Sequence, residues 1–377
     1  MLALVNARTL IAGAFVEGVA VLVDGDRIAA VVPRDDVPAG ADRVDLDGAM
    51  LVPGFIDTQV NGGGDALFND APTVETIRRI GAAHARFGTT GFLPTLISDD
   101  LSVIREGIAA VDAAIAAGVP GVLGIHVEGP FINVARKGIH AADKIRSLDE
   151  DDLAALTSLR RGRTLVTLAP EMVSRDTLRR LTAAGVIVSA GHTAGTYAEV
   201  AAAVDAGVTG FTHLFNAMSP LGNREPGAVG AALSSDAVWC ALIVDGLHVS
   251  PVTLRLALRC KPIERFMLVS DAMPTTGGRA RSFLLNGREI RAEGGRLIDE
   301  QGTLAGADLD MLAAVVNTQR LLGVPAEAAL AMASANPADF LGLDGEVGRI
   351  GAGRVASLLA IDADWSIRRR WIGGVED

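Results

Sequence analysis

Cysteine is almost missing: Cys240 and Cys260 are the only two in 377 residues, and they form neither a CxxC pair nor a spaced disulfide framework. That argues against a disulfide-stapled secreted scaffold, so a reducing, cytoplasmic setting is expected. There is also no block of Lys and Arg; 45 acidic residues face 34 basic ones, for a net charge of −11. A groove for a nucleic-acid backbone is therefore not expected. An anionic small molecule remains compatible, because a local group of Arg, His and backbone amides outweighs a repulsive net field over a short range. No apolar run approaches the roughly 20 residues that span a bilayer, so no membrane partner is expected. The start, "MLALVNARTLIAG", has no basic leader and breaks its apolar run at Asn6 and Arg8, which argues against a signal peptide. Low-complexity segments are absent.

A more local absence bears on function. The stretch Gly54 to Gly64 reads "GFIDTQVNGGG". The apolar run Leu51 to Ile56 ends in Asp57, and Gln59 and Asn61 follow at alternating positions. Many metal-dependent hydrolases of this pattern carry His-x-His there.

What the chain does have is a repeated theme: an apolar, β-branched run closed by a polar residue, a loop, then a helix-period segment. Eight such runs occur, at Leu51 to Asp57, Thr90 to Thr95, Val122 to Glu128, Leu165 to Glu171, Val186 to His192, Val208 to Asn216, Trp239 to Asp245 and Phe266 to Asp271. Segments such as "TVETIRRIGAAHARFG" and "TYAEVAAAVDAG" between them place apolar residues three and four apart and stop at Gly. Eight β-α units predict an α/β fold, a (β/α)8 TIM-like barrel with buried parallel strands. A doubly wound sheet is the runner-up, but no GxGxxG follows the first run. Both ends alternate short strand-like runs with turn signals, Asp24-Gly25 and Asp47-Gly48 among them. Residues 1–50 and 346–377 are expected to pair into one small β-sandwich domain, with residues 51–345 as the barrel and a hairpin insertion at about 280–306. Asn336 is read as the cap of a helix beginning at Pro337.

In such barrels the chemistry sits at the C-terminal ends of the strands. Runs three, five, six and eight end in "HVEGPF", "GHT", "THLFNAM" and "SDAM", which brings Glu128, His192, His213 and Asp271 to one rim. One carboxylate and two imidazoles supply three ligands to a divalent ion such as Zn2+ and leave a fourth position open, the mark of a catalytic site. A strand-end His alone is more often structural; the joint pattern carries the inference. His84, in a helix-period segment, and His126, two residues before Glu128, are read as structural.

These motifs, with "PGFIDTQVNGGGD", "KGIH", "DGLHV" and "GTLAG", resemble the N-acetylglucosamine-6-phosphate deacetylases of the amidohydrolase superfamily, in family order from about Pro53 to Asn336. The resemblance implies hydrolysis of the acetamide of N-acetylglucosamine 6-phosphate. It also implies a single metal ion per subunit, Zn2+ first with Fe2+, Co2+ or Ni2+ as alternatives, because Gln59 and Asn61 replace a second ion's histidines. Glu128, His192 and His213 would hold it. Asp271 would move the proton, and His140 would polarise the acetyl carbonyl. Ile139, Asn216, Ala217, Asp245, His248, Leu304, Ala305 and Gly306 would bind the sugar. Arg224 would bind the phosphate, reaching the neighbouring subunit's site in a homodimer. Two alternatives stand beside this: the same chemistry on the galacto epimer, and a non-catalytic barrel serving as a scaffold.

Overall fold

The computed structural model describes residues 1–377, and at its centre eight parallel strands run in sequence order around a barrel. They are Phe55–Val60, Thr89–Ile97, Gly124–Glu128, Arg163–Leu168, Ile187–Ala190, Gly210–Phe211, Trp239–Leu242 and Phe266–Leu268, here called barrel strands one to eight. Being covered on both faces, they need no polar alternation; strand two, "TTGFLPTLI", is buried along its whole length. Helices capped by Thr73, Ser174 and Thr196 return the chain between strands, the last through a capping box with Glu199. None is long and apolar enough to cross a membrane.

The barrel is the expected fold, but the runs divide differently. Leu51 to Asp57 is two strands: Met50–Pro53 pairs with Leu358–Ile361 in another sheet, and barrel strand one begins only at Phe55. Gly54 lies at the break because any side chain there would meet Thr90, with an added Cβ 2.0 Å from its Oγ1. At the other ends, Glu171, His192, His213 and Asp271 fall just past their strands, in turns, so the ladders stop short of the residues that close the runs. His192, His213 and Asp271 have φ of +48°, +35° and +51°, a backbone that cannot continue a strand.

Strands one and eight share no continuous ladder, and the barrel closes there by other means. The N–H groups of Asn61 and Gly62 both donate to Ala272 O at 3.0 Å. The Asp57 carboxylate accepts from the Ser270 N–H at 3.2 Å and from the Ser270 hydroxyl.

The chain ends build a separate sheet-rich domain. One sheet of six strands joins Arg8–Ile11, Ala14–Val16 and Met50–Pro53 to Leu358–Ile361, Ile367–Ile372 and Val375–Glu376 along the Met50–Pro53/Leu358–Ile361 pair; a second has four strands from Leu2 to Asp45. A shared core of Leu4, Val21, Ile28, Leu51, Leu358 and Trp371 joins them. The Asp47-Gly48 turn carries the chain from one sheet to the other and does not make a hairpin. The excursion after strand eight is likewise larger than a hairpin: four antiparallel strands, Ser282–Leu285, Arg288–Glu293, Arg296–Ile298 and Leu304–Ala307, form a sheet at the barrel mouth. Asn336 does not cap. It lies inside the helix Ala335–Phe340, and its Nδ2 donates to the carbonyls of Ile263 and Phe266, tying that helix to strand eight.

Candidate metal centre and active site

Glu128 ends strand three, and its Oε1 is the meeting point of the site. It lies 2.9 Å from His213 Nε2 and 3.2 Å from His192 Nε2, and those two nitrogens are 3.1 Å apart. All three residues are buried. The role of the other His192 nitrogen follows from its place 2.8 Å from the Arg136 carbonyl: Nδ1 carries a proton and donates, which leaves Nε2 as the atom whose lone pair a metal would take. A lone pair facing a carboxylate oxygen and a third ligand-type atom at such distances calls for a cation between them. Without one, burial would raise Glu128, but the two imidazoles outweigh it and hold the carboxyl well below its ordinary range. For His213, burial would lower the ring, and the Glu128 contact outweighs it and raises it. The donor set, one carboxylate and two imidazoles, is the chemistry of a divalent transition-metal site with room for further ligands.

His140 also comes within 4.8 Å of the ligand atoms of Glu128 and His192, so Glu128, His140 and His192 form a second possible triad. The Glu128, His192 and His213 atoms are mutually closer, and His140 Nδ1 is already engaged. It accepts from the Ser98 N–H at 3.2 Å and lies 2.7 Å from the Ser98 hydroxyl. The His140 proton is then on Nε2. Burial lowers the ring to about 3, so His140 is a neutral N–H donor.

Strand one supplies supports at alternating positions, which period-two geometry directs to one face. Gln59 Nε2 donates to Glu128 Oε1 at 3.0 Å, and Asn61 Nδ2 donates to Asp271 Oδ1 at 2.8 Å. The other oxygens of these amides, Gln59 Oε1 and Asn61 Oδ1, are buried without a partner. Burial, then the Glu128 charge, push Asp271 up to about 6 in the metal-free chain. The non-glycine residues Asp271, His213, His192 and Ala217 all sit at positive φ, strain of order 1–3 kcal/mol each that persists only where surroundings impose it.

These groups open on one cavity of about 480 Å3. Its wall includes Glu128, Ile139, His140, His192, His213, Asn216, Ala217, His248, Asp271, Leu304 and Gly306 among the residues singled out from sequence. Asp245 and Ala305 are not on the wall. Asp245 stands behind His248, accepting from its Nδ1–H at 2.5 Å and from two backbone N–H groups. Burial would raise Asp245, and the His248 bond outweighs it. Ala305 is packed in the small core beneath the insertion sheet with Met273 and Leu297. Arg224 is exposed on the loop before Gly227 and does not line its own chain's cavity. His84 and His126 are structural: the first bonds Gly62 O, the second spans Thr58 O and the Thr167 hydroxyl.

Sequence reading missed Ser98 and Arg136. Run two was ended at Thr95, but strand two continues to Ile97, and Ser98 is its true rim residue. Arg136 precedes "KGIH" directly and serves through its backbone carbonyl, which leaves no mark on residue type.

The amidohydrolase family pattern matches residues 50–374, and the NagA composite domain matches residues 1–51. An N-acetylgalactosamine-6-phosphate deacetylase of Shewanella is 42% identical over 87% of this chain and 83% of its own. An N-acetylglucosamine-6-phosphate deacetylase of Haemophilus influenzae is 33% identical over 92% of each. The crystal structure of N-acetylglucosamine-6-phosphate deacetylase from Pasteurella multocida superposes with a TM-score of 0.96 at 34% identity, over 100% of this chain and 99% of the other. On these matches and this geometry, the chain belongs to the N-acetylglucosamine-6-phosphate deacetylase family of amidohydrolases.

Proposed function

We propose that this chain hydrolyses the acetamide of N-acetylglucosamine 6-phosphate, giving glucosamine 6-phosphate and acetate. The observation that carries this is the meeting of Glu128 Oε1, His192 Nε2 and His213 Nε2 in the same cavity as a neutral N–H donor, His140, and a buried acid, Asp271. One divalent ion, Zn2+ in the first place, is held by those three side chains and supplies Lewis acidity toward water and an amide carbonyl. Asp271 accepts the proton of the attacking water and returns it to the departing nitrogen; it is held for this by Asn61 and by strand eight. His140 donates from Nε2 to the acetyl oxygen, where negative charge develops. Ile139, Asn216, Ala217, His248, Leu304 and Gly306 line the sugar's place.

Arg224, exposed beside the exposed Leu221, grips the phosphate of the neighbouring subunit's substrate in a homodimer, where its planar fork suits the anion. Cys240 and Cys260 are both free, which suits a cytoplasmic setting.

A second reading has its own support: the Shewanella relative at 42% identity bears the galacto name. Acetate release from N-acetylglucosamine 6-phosphate and N-acetylgalactosamine 6-phosphate, each with added Zn2+, Fe2+, Co2+ or Ni2+, tests both. Release from the gluco sugar with higher kcat/KM is expected. Higher kcat/KM on the galacto sugar reverses the substrate assignment, and no release with any ion removes the deacetylase reading.

A further inference from the structure

Seven of the eight runs end at, or just before, residues of the cavity wall or its immediate supports, but the acid that closes run four, Glu171, does not reach the cavity. It lies in the short turn Pro170–Met172 after strand four, half-buried, and its carboxylate is fully engaged. Oε2 accepts from the Thr193 hydroxyl at 2.5 Å. Oε1 accepts from the Ala194 N–H at 2.7 Å and from Asn133 Nδ2 at 3.0 Å. Thr193 and Ala194 are the two residues that follow His192. Asn133 reaches the same turn from the other side, its N–H donating to the His192 carbonyl at 2.9 Å.

We infer that Glu171 is a positioning residue for the metal centre, holding His192 in its left-handed turn so that Nε2 meets Glu128 and His213. The inference rests on the reading of His192 as a metal ligand. Charge-assisted bonds to an ionised carboxylate are stronger than neutral ones, and three of them converge on the segments that flank His192. The fit is close: a Cβ on Gly195 would come within 2.9 Å of Glu171 Oε2 and 3.0 Å of Thr193 Oγ1, so a side chain there would push the carboxylate aside. The turn of His213 has no such carboxylate; the residue after it is held by a backbone bond, Leu214 N–H to Ala241 O at 2.8 Å. Asn133 also begins the loop whose Arg136 carbonyl sets the His192 tautomer, so one carboxylate steadies both the backbone and the ring of the same ligand.

The test is Co2+ affinity of the full chain, measured by competition with a chelating dye, for Glu171→Ala, Glu171→Gln and the milder Thr193→Val. Glu199→Gln, which disturbs only the cap of the helix Tyr197–Val204, controls for lost stability. A roughly 10-fold to 100-fold loss of Co2+ affinity is expected for Glu171→Ala, the range for removing an outer partner of a metal ligand. A smaller loss is expected for Glu171→Gln and Thr193→Val, and none for Glu199→Gln. If Glu171→Ala does not fold, Glu171→Gln and Thr193→Val decide alone. Affinities within about twofold of wild type, with only thermal stability reduced, overturn the positioning role. His192→Ala separates this from the ligand reading: if it leaves Co2+ affinity unchanged, His192 is no ligand and both ideas fall, whereas if it abolishes binding while the Glu171 variants bind normally, only the Glu171 role falls.

Discussion

Gln59 Nε2 donates to Glu128 Oε1 across 3.0 Å, so the residue standing where an imidazole ligand is expected is instead a donor to the carboxylate. Asn61 repeats this toward Asp271. Two neutral amides whose N–H groups are spent on the site's own acids are poor replacements for a second ion's imidazoles. Protein loaded with excess Zn2+ is expected to plateau at one tightly bound ion per chain. Two tight equivalents, with activity following the second, would show that the orphaned Gln59 and Asn61 oxygens are ligands after all.

Asp271 has one oxygen fixed by Asn61 and lies on the cavity wall. Asp271→Asn keeps the shape and loses the ability to take and return a proton. A fall in kcat of roughly 100-fold to 10,000-fold is expected, with metal content unchanged. Loss of the metal in this variant, together with its retention in Glu128→Gln, would exchange the two roles.

Asp57 gives a test of the barrel's closure. Burial pushes its carboxyl from 3.8 up to about 7, against the pull of the Ser270 and Gln59 hydrogen bonds. The folded chain thus holds a proton there that the unfolded chain has released, between about pH 4 and pH 7. The stabilisation is present below about pH 4 and is lost as pH rises through about 7, at no more than about 1.4 kcal/mol per pH unit. Asp57→Asn has no such group, so urea denaturation of metal-depleted protein should show its stability relative to wild type rising across that window. A difference that stays flat with pH would mean that Asp57 is ionised throughout and that its hydrogen bonds outweigh its burial.

What the sequence made legible is what burial and periodicity record. Continuous apolar runs with helix-period segments between them reveal the barrel, and the polar residues closing those runs reveal Glu128, His192, His213 and Asp271. Two kinds of feature left no such record. One is backbone chemistry: the Arg136 carbonyl acts whatever side chain the residue bears, and the left-handed turns at His192 and His213 use no glycine to announce themselves. The other is register. Pro94 and Thr95 give no sign that strand two runs on to Ile97, so Ser98, the partner of His140, does not stand out as a residue at a strand end. Gly54 was visible, but only the 2.0 Å approach to Thr90 explains why one apolar run serves two sheets.

Arg224 does not line its own chain's cavity, and subunit mixing tests its proposed place in the neighbouring subunit's site. On that proposal Arg224→Ala removes a phosphate contact made equally before and during reaction, so KM for the phosphorylated sugar should rise with kcat little changed. Asp271→Asn, on the other hand, keeps Arg224 and loses turnover. In a hybrid dimer the Arg224→Ala chain retains Asp271 in its own cavity and receives an intact Arg224 from its Asp271→Asn partner, so that one site is complete. At substrate concentrations well below the raised KM, activity after subunit exchange should therefore exceed the sum of the two variants measured apart. If mixing gives only that sum although exchange has occurred, Arg224 serves its own chain's cavity or none, and the loop from Ser219 to Pro226 is then a surface feature without a share in the site.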